Sequence, residues 1–323
     1  MNFKSYDDLA TCLIKNMSKI PNDIDLILGI PRSGTMAGNM LALYCNLPFM
    51  DIYSFLRGET FHVGNTKAKN KIIGSPEEAR HILLVDDSIS TGRAMAEAKK
   101  LLRDADVKAK VTTFAVYGLS LTKGCADICL ETCEQPRFFE WNFLHNWFLQ
   151  YCCMDIDGVI CEDPSIWQND DGKNYRGFLL DAKPKLLPTK KVGTLVSCRL
   201  EKYRGETESW LKAHNVEYDK LILLDGVTAE QRRTMVNHGA YKAEAYQKTD
   251  SVLFIESSYD EALEICRISG KPVFCIDNRQ MITSDNIIKR IEVRQKELRV
   301  VVKQAIKKVL SGKRKGKTNT PCL

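Results

Sequence analysis

Residues 81–95 read HILLVDDSISTGRAM, and this stretch decides the fold. Residues 82–85 are an apolar run too short for a helix, the pattern of a buried strand. Asp86 and Asp87 follow, then Ser88, Ile89, Ser90, Thr91 and Gly92, and a helical pattern begins at Arg93. A strand leading into a small-residue turn and a helix is the repeating unit of an open parallel sheet, whose ligands bind beyond the carboxyl ends of the strands. Backbone N–H groups at the start of the helix form an anion cradle, and the helix dipole adds to it. Carboxylates beside that cradle accept hydrogen bonds from vicinal hydroxyls or favour positive charge. A phosphate and a diol at that separation describe a pentose 5-phosphate.

The same alternation extends in both directions. DLILGI (25–30) reads as a strand, PRSG as a turn, 35–45 as a helix and LPFMDIYSF (47–55) as a strand. Residues 57–76 read as a long mobile loop carrying lysines and glycines, and KVTTFAVYG (110–118) as a further strand. A second βαβ series starts at YCCMDIDG (151–158). It continues through VGTLVSC, the helix LEKYRGETESWLKAH, DKLILLDG, SVLFIES, a helix to about 269, and PVFCID. The expected class is α/β, with two parallel-sheet domains at 1–148 and 149–282 and a basic segment at 283–323.

Composition agrees with packed domains: 323 residues, 44% hydrophobic and 27% charged. The net charge of +6 is unevenly spread, because residues 289–317 hold twelve Lys and Arg against two Glu and leave the remainder near −4. The N-terminus lacks the basic start and apolar run of a signal peptide, and no apolar segment is long enough to cross a bilayer. The expected location is cytoplasmic, with the twelve cysteines as reduced thiols.

The opening stretch resembles the phosphoribosyl pyrophosphate (PRPP) signature of type I phosphoribosyltransferases: an apolar run, two acids and a small-residue loop ending in Thr-Gly. The resemblance covers about residues 20–120. It implies that Ser88, Ile89, Ser90, Thr91, Gly92 and Arg93 hold the 5-phosphate and that Asp86 and Asp87 hold the ribose hydroxyls. It further implies that Pro31, Arg32, Ser33 and Gly34 hold pyrophosphate with Mg²⁺, and that the lysine-rich loop closes over the reaction. Glu59 and Asp87 are candidate bases for the acceptor's proton. The Lys-and-aromatic grip of 6-oxopurine enzymes is missing after the third strand, where Lys123 is a weak candidate. RFFEWNFLHNWF (137–148) is read mainly as packing, with Trp141 and Asn142 as candidates to line an acceptor site.

CMDIDGVICEDP (153–164) sets two carboxylates two residues apart at the end of an apolar strand. There they can converge on a metal, one attacking phosphorus and the other handling a proton. The segment resembles the haloacid dehalogenase superfamily of aspartate-nucleophile phosphatases over 150–278. By that resemblance Asp155 is the nucleophile, Asp157 the general acid/base, Ser197 a phosphate-binding hydroxyl, Lys242 the third-motif lysine and Glu256 an acid for Mg²⁺. The expected metal set is Asp155, Asp157 and Glu256. The fourth motif departs from the usual aspartates, with Asp260 further on. Arg199 and Arg204 are read either as phosphate ligands or as solvated helix charges.

Cys125, Cys129 and Cys133 recur every four residues and read as a helical stripe, lacking the spacing of a metal site. Ile287, Ile291, Leu298, Val302, Ile306 and Val309 fall close to helical spacing among cations, which suits an anionic membrane surface over 287–317 or packing on protein, including a second copy. The whole chain resembles two-module bacterial proteins that add ribofuranose to surface polysaccharides, which implies PRPP and a lipid-linked glycan as substrates. The alternatives are a salvage enzyme acting on a nucleobase, and a PRPP-sensing regulator whose tail binds nucleic acid; no nucleic-acid partner is expected on the favoured reading.

Overall fold

The computed structural model describes residues 1–60, 73–234 and 236–285. The chain divides into two units, Met1–Phe143 and Leu144–Leu323, five residues before the expected boundary. The amphipathic segment 287–317 and most of the lysine-rich loop lie outside the described residues.

The first unit runs β1 (Asn2–Lys4), α1 (Tyr6–Lys15), β2 (Leu26–Gly29), α2 (Ser33–Cys45), β3 (Phe49–Asp51), α3 (Ile52–Leu56), β4 (His81–Ile89), α4 (Arg93–Asp104), β5 (Lys110–Gly118), β6 (Ile128–Thr132) and β7 (Arg137–Phe139). Five strands form a parallel sheet in the order β3-β2-β4-β5-β6, and β1 pairs in parallel with β7. Residues 81–87 are all buried, as the centre of a sheet covered on both faces requires. Leu83, Val85 and Phe114 join one core with Leu41 of α2, while Ile82, Leu84 and Met95 join another with Leu102 of α4. Each such side chain contributes roughly 1.5–3 kcal/mol of burial.

Three local readings change. The strand containing the acids continues to Ile89, pairing Asp86 with Ala115 and Ser88 with Tyr117. LPFMDIYSF divides, because Asp51 accepts from the Tyr53 and Ser54 amides and starts α3. Cys129 lies in β6 rather than on a helix, which leaves Cys125 exposed, Cys129 half-buried and Cys133 buried with no common stripe.

The second unit runs β8 (Cys152–Met154), α5 (Lys173–Asp181), β9 (Val192–Leu200), α6 (Arg204–Ala213), β10 (Tyr218–Leu224), α7 (Ala229–Thr234), α8 (His238–Gln247), β11 (Leu253–Glu256), α9 (Tyr259–Ser269), β12 (Val273–Cys275) and β13 (Gln280–Ile282). Its sheet has the order β10-β9-β8-β11-β12-β13, parallel except for the β12–β13 pair, so the sheet is mixed. Among the described residues no helix is long and apolar enough to cross a membrane.

Candidate functional site

Each sheet has one point where successive connections depart in opposite directions, the place where open α/β sheets bind their ligands. In the first unit it lies between β2 and β4, and in the second between β8 and β11. The residues singled out above fall at these two places.

In the first unit the Ile30 amide donates to the Val85 carbonyl at 2.9 Å, which fixes the turn Pro31–Arg32–Ser33 beside the end of β4. Gly34 is needed for that approach. A methyl group built there would lie 2.7 Å from the Val85 carbonyl oxygen and 3.0 Å from the Asp86 Cα, and neither is a side chain that can move aside. Gly34→Ala is therefore expected to cost about 1–3 kcal/mol and, if this turn holds PRPP as the resemblance implies, to weaken its binding. Thermal melting and ligand titration test this, and a variant as stable and as tightly binding as wild type would contradict it.

Asp86 and Asp87 are both nearly buried, and the Asp87 amide donates to Asp86 Oδ1 at 2.9 Å. Burial, and then the charge of Asp87, push the Asp86 carboxyl up to about 8. The Trp141 indole N–H donates to Asp87 Oδ2 at 2.8 Å, and its ring stacks on Phe139 at 4.8 Å and 6°. The aromatic run therefore divides its roles. Phe138, Phe139 and Phe143 are core, and Trp141 reaches the acids. Asn142 keeps a buried Oδ1 without a hydrogen-bond partner among the described residues.

Ser90, Thr91 and Arg93 are exposed, and Gly92 has φ 79°, where a Cβ would also strike the Cys125 sulfur at 2.7 Å. The Ile89 side chain belongs to the core, so only its backbone faces the turn. Its carbonyl accepts from Arg137 at 3.2 Å. Arg137 was not singled out from sequence; a cation heading an aromatic run was the available signal. Glu59 pairs with Arg57 at 2.6 Å, which holds its carboxyl below the ordinary range. The hard oxygen donors of Asp86 and Asp87 suit Mg²⁺, which takes one or two carboxylates together with substrate phosphates.

In the second unit β8 ends at Met154, and the Asp155 amide donates to the Ile255 carbonyl at 3.0 Å. Lys242 reaches across from α8. Its ammonium donates to Asp155 Oδ2 (2.5 Å), Glu256 Oε2 (2.8 Å) and Glu261 Oε2 (2.7 Å). Glu256 also accepts from the Ser257 and Ser258 amides. Ser197, at the centre of β9, donates to Asp157 Oδ2 at 3.4 Å. These groups line a cavity of about 270 Å³. Gly158, with φ 76°, lets the chain turn beneath it; a Cβ there would collide with the Ser257 hydroxyl.

The electrostatics are those of a charge-paired cluster. Burial pushes Asp155 well up, with the Lys242 ammonium opposing. Burial would depress Lys242, but its three carboxylates hold it well above its usual value. Burial also pushes Asp157 up, but the charge and hydrogen bonds of Arg199 bring it below the ordinary carboxylate range.

Four of the residues or sets singled out above are placed as follows. Arg199 is neither a phosphate ligand nor a helix charge: it is fully buried in β9, with its Nε 3.0 Å and Nη2 2.7 Å from the Asp157 carboxylate. Arg204 pairs with Glu201 (2.5 Å) and Glu208 (3.1 Å) at the start of α6. Asp260 is exposed, and the acid that joins Glu256 is Glu261, one residue later on α9. Asp155, Asp157 and Glu256, the expected metal set, line one cavity but are paired with two different cations. Two of them share Lys242, the third turns to Arg199, and no group of three acids among the described residues could hold a metal.

Comparison with known proteins places the first unit. Residues 3–128 match the phosphoribosyl transferase domain family. The chain is 28% identical over 110 residues to "Transcriptional regulator GfcR 2" of Methanosarcina acetivorans, a match covering 33% of this chain and 53% of that protein. The chain thus spans about half the length of that curated relative. Among solved structures, Helicobacter pylori xanthine-guanine-hypoxanthine phosphoribosyltransferase is 18% identical with a TM-score of 0.32, over 44% of this chain and 91% of its own. The purine phosphoribosyltransferase of Pyrococcus horikoshii is 15% identical with a TM-score of 0.31, over 44% and 94%. What the chain shares with known proteins is thus the match of residues 3–128, less than half of its length, to the phosphoribosyl transferase domain family.

Proposed function

We propose that the chain transfers 5-phosphoribosyl from PRPP to a glycan hydroxyl and then removes the 5-phosphate, leaving a ribofuranoside of a bacterial surface polysaccharide. The family match of residues 3–128 supports the first step. The observation that carries the second is the cavity where Asp155, Ser197, Lys242 and Glu256 meet, in the same polypeptide.

In the transfer, the backbone turn of residues 88–93 receives the 5-phosphate, and Asp86 and Asp87 receive the ribose hydroxyls and favour positive charge at C1 as pyrophosphate departs. Residues 31–34 would hold the pyrophosphate together with Mg²⁺, for which Asp86 and Asp87 offer oxygen donors nearby, and the metal would supply positive charge to the leaving group. The acceptor hydroxyl attacks the face opposite pyrophosphate, which turns the α configuration of PRPP into a β-ribofuranoside. Its proton passes to Asp87 or Glu59. In the second site Asp155 attacks phosphorus, the bond from phosphorus to the sugar's 5-oxygen breaks as that oxygen takes up a proton to leave as a hydroxyl, and water then attacks the aspartyl phosphate to release phosphate and restore Asp155. Arg199 keeps Asp157 ionised, so in this arrangement Asp157 accepts a proton more readily than it gives one. Location on the inner face of the plasma membrane, with 287–317 against anionic lipid, belongs to the same proposal.

The test is incubation of the full chain with Mg²⁺, PRPP and a panel of synthetic glycans, read by mass. Wild type should add a pentose, whereas Asp155→Ala should stop at a pentose phosphate. A gain on a nucleobase and on no glycan would transfer the assignment to salvage chemistry.

A second reading draws on the relative described as a transcriptional regulator, together with the cation-rich segment 289–317. A PRPP-sensing regulator would bind nucleic acid with a steep dependence on salt. The acid–lysine cavity of the second unit argues for catalysis instead.

A further inference from the structure

Any phosphomonoester entering the second cavity meets a wall of like charge. Asp155, Asp157, Asp163, Glu256, Glu261 and Asp277 all line it. An ammonium has three N–H donors, and Lys242 already directs all three at carboxylates. Arg199 is committed to Asp157 beneath the cavity. Neither of these two has a donor to offer an arriving dianion without first releasing an acid; Arg233, which also lines the cavity, is exposed at its rim and donates to the Asn169 carbonyl at 3.1 Å.

Arg232 is differently placed. It comes from α7, lines the same cavity and is only 8% exposed. Its Nη1 donates to the Tyr175 hydroxyl at 3.3 Å, its Nη2 to Asn169 Oδ1, and its guanidinium lies 5.4 Å from the centre of the Tyr175 ring. All of these partners are neutral. The Arg232 Nε is buried and has no hydrogen-bond partner among the described residues. A guanidinium carries five donors in a fixed plane; Asp171 and the cavity's carboxylates act on Arg232 through charge, but its side-chain hydrogen bonds go to neutral groups, which leaves donor capacity for an arriving anion.

We infer that Arg232, oriented by Asn169 and Tyr175, is the residue that first binds the phosphoryl group of a sugar phosphate in the second unit. Lys242 then releases one carboxylate and takes over a phosphoryl oxygen as Asp155 approaches phosphorus. The inference rests on the phosphatase reading and specifies how that site recruits its substrate.

The test separates binding from turnover. Inorganic phosphate is titrated into the full chain by calorimetry, and hydrolysis of ribose 5-phosphate is followed in parallel. Arg232→Ala should weaken phosphate binding by about 10- to 100-fold, the range of a charged hydrogen bond. It should raise KM for ribose 5-phosphate by a similar factor and leave kcat within about threefold. Arg232→Lys should recover part of the binding, because it restores the charge without the planar fork, and it decides the matter if the alanine variant does not fold. Wild type that binds no phosphate, a lysine variant indistinguishable from alanine where both fold, or a fall in kcat at unchanged KM would each overturn the inference. Phosphate binding that depends on Arg232, in a protein that hydrolyses no phosphomonoester, would keep the anion site and remove the phosphatase reading.

Discussion

Lys242→Met is expected to destabilise the second unit by about 3–5 kcal/mol, the usual result of removing one partner from a buried ion cluster, and to lower phosphomonoester turnover by about a hundredfold to a thousandfold. The side chain is 5% exposed and is the common partner of Asp155, Glu256 and Glu261, with which it makes contacts of 2.5, 2.8 and 2.7 Å. Methionine fills nearly the same volume, so the loss measures charge rather than packing. Without the ammonium, burial is left to act unopposed on Asp155 and Glu256, both of which it already pushes up. Acids whose folded pKa lies above the unfolded value contribute stability that is present below the ordinary carboxylate range and is lost as pH rises through the folded value. The variant should therefore regain melting temperature relative to wild type as pH falls from 8 to 5. Adding Glu261→Gln should return part of the loss at pH 8, because one fewer carboxylate needs a partner. Equal stability of wild type and Lys242→Met at pH 8 would show that the three acids do not depend on this cation.

The features legible in the sequence were those written in short segments. Residues 81–95 contain the strand, both acids and the small-residue turn, and the βα register follows from their order. Asp86 and Asp87 nevertheless shortened the reading of β4, because a charged residue ends an apolar run while the backbone ladder continues to the Ile89–Gly118 pair. β1 and β7 have three residues each and pair across most of the first unit, so no local pattern announces them. Arg199 shows the converse difficulty. One Arg after a Ser and a Cys looks the same whether it faces solvent or is fully buried against Asp157; only the tertiary structure distinguishes them. The choice between Asp260 and Glu261 turned on helix phase. Ser258 caps α9 by accepting from the Glu261 amide at 3.4 Å, and Glu261, unlike its neighbour, turns toward Lys242.

Asp86→Asn should have opposite effects on the first unit: transfer from PRPP lowered by about a hundredfold or more, and the unliganded fold made more stable. The Asp86 carboxyl is raised from 3.8 to about 8, first by burial and then by the charge of Asp87. Unfolding frees it to ionise at its ordinary value, so between pH 4 and 8 the native state binds the extra proton and stability falls as pH rises. At about 1.4 kcal/mol per pH unit, the shift from 3.8 to about 8 means that wild type forgoes on the order of 6 kcal/mol by pH 8. Asparagine removes the penalty while keeping an acceptor for the Asp87 amide, which Asp86 Oδ1 now receives at 2.9 Å. The melting temperatures of wild type and variant should therefore diverge as pH rises from 4 to 8 and run parallel above that. On the proposed function the penalty has a use, because a carboxylate poised to ionise beside the small-residue turn would answer a ribose diol and developing positive charge, and an amide would not. PRPP binding to wild type near pH 7 should release a proton, visible as a binding enthalpy that varies with the ionisation heat of the buffer, and Asp86→Asn should show no such variation. A variant that gains no stability at pH 8 would mean that Asp86 is already ionised in the unliganded protein, and the acids would then act as a fixed negative pair.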